Sequence, residues 1–396
     1  MRGLLATITA LLACGVLSAQ ELTTVFVGAD TLEYTYTPID QVSYAPRGVE
    51  GLGLRLNNYL TLSEDDPRRV KFAVVGAPAY SANTGWRLSA LAVMNYRVAG
   101  VTEPQKLSLM AMASLKGCYA VALDGINSFD DGRHQLSYGV ECDLAHKYIY
   151  GLDYDTSIGG QRGGYVQRRY GAYLHYNYQL CDGFTAGVSA EYDNAKVLSK
   201  DGYAEGVLTG LTTRFWGVGI GVNAKYSTRR VEDVNIVRGL SVRAEYMVHP
   251  GWFNSSGLPL HEVNMTVDFY QPLWRGGLLA LDVYGEHHSV NTPWLLRAGV
   301  GDDSRMRGYY LWRFNGNTLV ASQLELRQRV WEGLVVAGWG GCGIAFGPYD
   351  PAEWRKVLPT YGAGVRWYFS STTMVRVDCG FGRDSWAFVV GYAEAF

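Results

Sequence analysis

Hydrophobic and polar residues alternate along most of the chain. In "LLALDVYGEHH" (278–288), Leu279, Leu281 and Val283 share one face, while Asp282, Tyr284 and Glu286 share the other. "QLELRQR" (323–329) sets Leu324 and Leu326 against Gln323, Glu325, Arg327 and Arg329. The same period of two places Arg243 and Glu245 opposite Val242, Ala244, Tyr246 and Val248. It also places Arg366 opposite Val365, Trp367 and Phe369, and Arg376 and Asp378 opposite Val375 and Val377. From "TGWRLSALAVMNYRV" (84–98) onward the pattern predicts roughly sixteen strands of ~8–15 residues, long enough to cross a bilayer when tilted.

The connections sharpen this reading. "CDG" (181–183), "PLWRGG" (272–277), "WEG" (331–333) and "SST" (370–372) are tight turns. Between them lie "NAKVLSKDGYAEGVLTG", "HPGWFNSSGLPLH", "SVNTPWLLRAGVGDDSRMRGYYLWRFNGN" and "GPYDPAEWRKVLP". Short and long connections alternate, as they do when one rim of a barrel carries periplasmic turns and the other external loops. A soluble sandwich also alternates faces, but it gives no reason for loops to alternate in length. The apolar set has aliphatics in mid-strand and aromatics near strand ends, with charges kept to the other face. A lipid-exposed barrel requires that division, because charge facing hydrocarbon is costly. The expected fold is therefore all-β: a transmembrane antiparallel barrel.

Composition agrees. The 396 residues would make two or three soluble domains, yet charged residues are only 18%, with 48 Gly, 28 Tyr and 11 Trp. No run approaches the ~18 apolar residues of a membrane helix. A net charge of -2 favours no nucleic-acid partner. Residues 1–20 read as a signal peptide, with Arg2, the apolar "LLATITALLACGVL" and small residues before a cleavage point near Ala19. A lipoprotein signal at Cys14 and a buried first helix are the weaker alternatives. Residues 21–68 form a short irregular segment, and 69–396 the barrel domain. Cys118, Cys142, Cys181, Cys342 and Cys379 would remain, an odd and scattered set without CxxC that offers neither a disulfide framework nor a zinc site.

The loop "GDDSRMRGYY" (301–310) with the following "LWRFNGNTLVASQLELR" and the ending "GAGVRWYF…MVRVDCGFG…AFVVGYAEAF" resembles the BamA/TamA barrel superfamily, also called bacterial surface antigens. The resemblance spans about residues 70–396. Its hallmark is an Arg-Gly-aromatic motif in a long external loop folded into the lumen, five strands before the C-terminus. Arg307-Gly308-Tyr309 occupies that place, whereas "VRGL" at 237–240 lacks the aromatic. The resemblance implies that Arg307 pairs with an inward acid on the next strand, Glu325. Gly308 would allow the tight backbone, and Tyr309 would anchor the loop on the lumen wall. A second acid common in relatives is replaced here by Gly341, leaving lumenal Asp378 to stand in. Gly391 and Phe396 fit the C-terminal signal read by barrel-assembly machinery, while Glu394 stands where that signal expects an apolar residue. About 50 residues between the cleavage point and the first strand leave no room for a POTRA domain of ~75 residues, so the chain resembles a member lacking them.

Enzyme readings are weaker. His287-x-Ser289 has the spacing of a base and nucleophile on one strand face, but continues as Val290-Asn291 rather than Asn-Gly. Adjacent His287 and His288 point to opposite faces, which argues against a shared metal. No G-x-S-x-G occurs, and "GWGGCG" precedes no helix. No catalytic residue, cofactor or metal is expected. The resemblance implies a bacterial outer-membrane protein engaged in assembly, insertion or translocation. Its partners would be outer-membrane lipid, barrel-assembly machinery or client outer-membrane proteins. The alternative is a passive pore or structural surface barrel.

Overall fold

The computed structural model describes residues 70–81, 85–98, 105–130, 132–232, 235–301, 304–331, 333–368, 374–391 and 394–396. The signal peptide and the segment 21–68 lie outside the described residues. Sixteen long strands follow one another: β1 (Val70–Ser81), β2 (Gly85–Tyr96), β3 (Gln105–Ser114), β4 (Tyr119–Phe129), β5 (His134–Ile149), β6 (Gly163–Cys181), β7 (Phe184–Lys200) and β8 (Arg214–Ser227) form the first half. The second half is β9 (Asn235–His249), β10 (Leu260–Trp274), β11 (Gly277–His288), β12 (Thr318–Trp331), β13 (Leu334–Phe346), β14 (Leu358–Tyr368), β15 (Met374–Gly382) and β16 (Ser385–Gly391). Each pairs antiparallel with the next. Among the described residues no helix is long and apolar enough to cross a membrane. The protein is a transmembrane β-barrel.

Its two faces follow the period of two. On β12, Leu324 and Leu326 are exposed while Gln323, Glu325 and Arg327 are buried; on β11, Val283 is exposed and Asp282 buried. Val365 and Trp367 likewise face out on either side of buried Arg366. Exposed Trp86, Trp216 and Trp386 mark one end of the outer face, and Trp274, Trp331 and Trp367 the other. Such belts sit at the two lipid–water boundaries, where an indole can keep its ring in hydrocarbon and its N–H wet.

The rims are unequal. The connections 150–162, 201–213, 250–259, 289–317 and 347–357 all fall on one rim, and tight turns at 182–183 and 275–276 on the other. The alternation fails beside the first and last strands, where the long-loop rim carries the short connections 115–118 and 383–384. The sequence reading also missed connection 150–162, which holds helix α1 (Tyr154–Ile158), and placed inside a loop the end of β7 and helix α2 (Gly202–Val207). Both helices start on an Asp: Asp153 accepts from the amide of Thr156, and Asp201 from those of Ala204 and Gly164. The latter bonds favour the ionised Asp201 carboxylate and lower its pKa.

The long loops meet over the lumen. Trp294 Nε1 donates to Thr212 O at 2.7 Å, the amide of Tyr154 to Asp350 Oδ2 at 2.8 Å, and Asn315 Nδ2 to Gly151 O at 3.0 Å. These bonds join connections widely separated around the strand order, which a flat sheet would hold apart. Two apolar clusters fill the space below. One contains Tyr154, Val300, Met306, Tyr309, Phe314, Leu319 and Leu358; the other contains Ile149, Tyr165, Val197, Leu208, Phe215, Leu260 and Trp294. Apolar side chains on the inside of a barrel need this mutual cover, and a third, smaller cluster of Val93, Met110, Ala120 and Ala122 lines β2–β4.

Candidate functional site in the lumen

The chain between β11 and β12 does not project outward. It descends into the lumen, and its lowest point is Arg305-Met306-Arg307-Gly308-Tyr309. Met306 has a positive φ of 51°, which turns the chain so that the flanking arginines reach different parts of the wall. Arg305 forms a bidentate pair with Asp282 of β11, Nη2 to Oδ1 at 2.8 Å and Nε to Oδ2 at 2.9 Å, with its guanidinium 4.3 Å over the Tyr284 ring. The Met306 side chain lies against Gly343, where a Cβ would come within 2.8 Å of its sulfur.

Arg307 is fully buried. Its Nη2 donates to Glu325 Oε2 at 2.6 Å, its Nη1 to Asp378 Oδ2 at 2.6 Å, and its guanidinium sits 3.7 Å from the Trp339 ring centroid. Two carboxylates and an aromatic face replace the water that a free guanidinium would hold, as burial of that charge requires. Glu325 and Asp378 belong to β12 and β15, strands separated by β13 and β14, so this one side chain spans a quarter of the strand order. Asp378, on β15, supplies the second acid that the strand after Glu325, with Gly341, does not.

Gly308 has φ of +117°, and a Cβ there would meet the backbone carbons of Phe381 and Gly380 at 2.7 and 2.8 Å. Conversely, a Cβ on Gly380 would lie 2.5 Å from Arg307 O. The loop therefore touches β15 backbone to backbone, an approach open only to glycine on both sides. Tyr309 covers Gly382, its hydroxyl donating to Pro359 O at 2.6 Å and accepting from the amide of Arg383 at 2.7 Å. Thr360 Oγ1 adds a bond to Arg307 O at 2.7 Å.

The network extends beyond the residues singled out in the sequence. Glu325 also accepts from Arg327 at 2.8 Å and Arg366 at 2.9 Å, and Asp378 from Arg366 at 2.6 Å and Arg376 at 2.9 Å. Glu394 completes it, accepting from Arg366 at 3.3 Å and from the Tyr368 hydroxyl. Four arginines thus face three carboxylates. The chain end turns inward to join them. Phe396 O accepts from Arg327 Nη2 at 3.2 Å, and its ring lies 5.3 Å from that guanidinium and 6.4 Å from the Tyr270 ring. Glu394 is therefore out of place as part of an apolar strand signal but in place as a lumenal anion. Gly391 ends β16.

The remaining candidates do not converge. His287 is exposed and its Nδ1 bonds Thr318 Oγ1 at 2.7 Å, while Ser289 Oγ lies 3.2 Å from Thr292 Oγ1. Among the described residues the two therefore share no base–nucleophile contact. Sequence reasoning placed Arg366, Arg376 and Arg327 on the lumenal face but could not pair them, because strand register and barrel curvature set those partners. Arg305 and Trp339 carried no signal of their own.

No family model matches the chain, and no curated protein matches it in sequence. Solved structures do. BamA from Haemophilus ducreyi lacking POTRA domains 1-3 superposes with a TM-score of 0.58 and 11% identity, over 83% of this chain and 71% of that one. The fold is that of the BamA and CdiB barrels. CdiB from Escherichia coli gives a TM-score of 0.56 at 11% identity, and CdiB from Acinetobacter baumannii 0.53 at 11%. This chain covers 83% and 81% of itself in those matches but spans only 62% and 59% of the two CdiB chains. At such identity the likeness is one of fold, and lumenal roles rest on the geometry above.

Proposed function

We propose that this chain is a bacterial outer-membrane barrel of the BamA/TamA type that takes part in the assembly, insertion or translocation of outer-membrane or exported proteins. The observation that carries this reading is the 289–317 connection clasped inside the lumen, with Arg307 held between Glu325 and Asp378. A loop fixed across the lumen narrows any path through it, which favours a braced wall over a wide open channel. The brace has a mechanical use in a barrel whose wall must open. It ties β12 to β15 through the lumen. An opening between first and last strands would leave the braced half intact. Arg307, Gly308, Tyr309, Glu325 and Asp378 form the brace in this account, and Gly391 and Phe396 the chain's own assembly signal.

Two measurements on the full chain test this. In planar bilayers the protein should show no steady open conductance, and deletion of 301–313 should create one. Chemical crosslinking in native outer membrane should capture barrel-assembly components or unfinished barrel proteins. A large steady conductance in the unaltered protein, with no such crosslinks, would instead establish a passive pore.

A further inference from the structure

Outside the brace, a second polar cluster lies on the lumenal face of β10 and β11, just below the point where the 289–317 connection leaves the wall. Glu262 stands opposite His288 in the register, and Asn264 opposite Glu286. Glu286 Oε1 lies 2.7 Å from His288 Nε2. An ionised carboxylate can only accept, so Nε2 carries a proton, and in the neutral ring the Nδ1 lone pair is then left on the other side. That lone pair faces Glu262 Oε2 at 3.6 Å. At 3.6 Å the Nδ1–Oε2 contact is too long for a hydrogen bond and is an ion pair when the ring is protonated; a bound cation would take that proton's place. The separation matches the ~3.4–3.6 Å edge between two ligands bound to one ion at ~2.0–2.2 Å.

The surroundings are built for the same purpose. Asn264 Nδ2 donates to the other Glu262 oxygen, Oε1, at 2.7 Å, which fixes the amide orientation. Asn264 Oδ1 is then a buried acceptor with no hydrogen-bond partner among the described residues. Tyr284 donates to Glu286 Oε2 at 2.8 Å, so the Glu286 carboxylate is held from behind while it holds the imidazole. A carboxylate on the far nitrogen of a histidine is the outer-shell arrangement that orients a metal-bound ring. His288 itself is 5% exposed.

We propose that Glu262 and His288 bind a divalent first-row transition cation, with Glu286 orienting the imidazole and Asn264 holding the Glu262 carboxylate. One imidazole beside carboxylate oxygen suits manganese or zinc better than the all-oxygen shell that calcium prefers. The sequence argument against a metal weighed His287 with His288, which do point to opposite faces; the missing ligand came from the neighbouring strand. The site would also steady the loop. The amide of His288 donates to Asn317 O at 2.6 Å and that of Ser289 to His261 O at 2.8 Å, so an ion here clamps the loop at its exit and its return.

The test is Mn²⁺ titration of the purified full chain in detergent, read by electron paramagnetic resonance to avoid the free thiols. One bound Mn²⁺ per chain is expected, displaced by Zn²⁺ and not by Ca²⁺, with His287→Ala unchanged. Glu262→Gln and His288→Gln should abolish binding, and Glu286→Gln should weaken it about 10–100-fold. Gel heat-modifiability confirms folding of each variant; if His288→Gln fails to fold, the near-isosteric Glu262→Gln decides. No bound Mn²⁺, binding undiminished in Glu262→Gln, or binding lost instead in His175→Ala of the neighbouring His175–Glu191–Glu245 group would overturn the proposal.

Discussion

Deleting Glu325 should cost more than deleting Arg307, although they are partners in one ion pair. Glu325 accepts from Arg307, Arg327 and Arg366, and Asp378 from Arg307, Arg366 and Arg376. Arg307→Ala leaves three arginines facing three carboxylates, and both Glu325 and Asp378 keep two guanidinium partners. The loss is then a pair of charge-assisted bonds and the stacking on Trp339, about 2–3 kcal/mol. Glu325→Ala leaves four arginines facing two carboxylates in a site with no bulk water. Breaking a buried pair in that direction costs about 3–5 kcal/mol. The double variant should fall short of the sum by about 1–3 kcal/mol, since the two share a network. Urea unfolding in lipid vesicles, followed by tryptophan fluorescence and by the gel shift of the folded barrel, measures all three. An Arg307→Ala loss equal to or above that of Glu325→Ala, or additive losses, would refute the charge argument.

Further outcomes test the rest of the loop and its surroundings. Gly308→Ala combines positive φ with a Cβ 2.7 Å from the β15 backbone and should cost about 2–5 kcal/mol, freeing the loop so that external trypsin cleaves at Arg305 and Arg307; an uncleaved variant of normal stability would count against backbone contact. Glu394→Leu improves the apolar pattern of the chain end but strips Arg366 of an anion, so folded stability should fall; a gain in folded stability would mean that Arg366 does not depend on this lumenal anion. On the long-loop rim, hydrogen bonds from Arg355 hold the carboxyls of Asp155 and Glu353 below their ordinary pKa. With folded values below unfolded ones, this link is complete above the ordinary carboxylate range and is lost only as pH falls through the lowered values. Fluorescence of the exposed Trp354 should therefore change at acid pH in the parent and not in Arg355→Ala; a shared transition at or above the ordinary range would contradict this.

The sequence showed the barrel clearly because membrane lipid enforces the period of two. Leu324 and Leu326 must face out, so Glu325 must face in, and that follows without a structure. The bounds of the 289–317 connection were equally plain, since alternation stops at Ser289 and resumes at Thr318. What the sequence did not show depends on curvature and register. Asp378 lies 71 residues from Arg307 and three strands beyond Glu325, and only the closing wall brings it to the guanidinium. Glu394 looked like a poor fit because its expected place was a lipid-facing strand, whereas the chain end turns into the lumen. The connection 150–162 escaped notice because a short helix capped by Asp153 has too few residues to show a period.

Function is tested most directly by depleting the chain in its native cell and measuring the abundance of every other outer-membrane and exported protein. Cells complemented with the parent chain and with the Arg307→Ala/Glu325→Ala pair, matched for amount in the membrane, provide the comparison. The account expects a defined subset of those proteins to fall on depletion, with recovery by the parent chain and poor recovery by the pair. An unchanged outer-membrane and exported proteome after full depletion would contradict it.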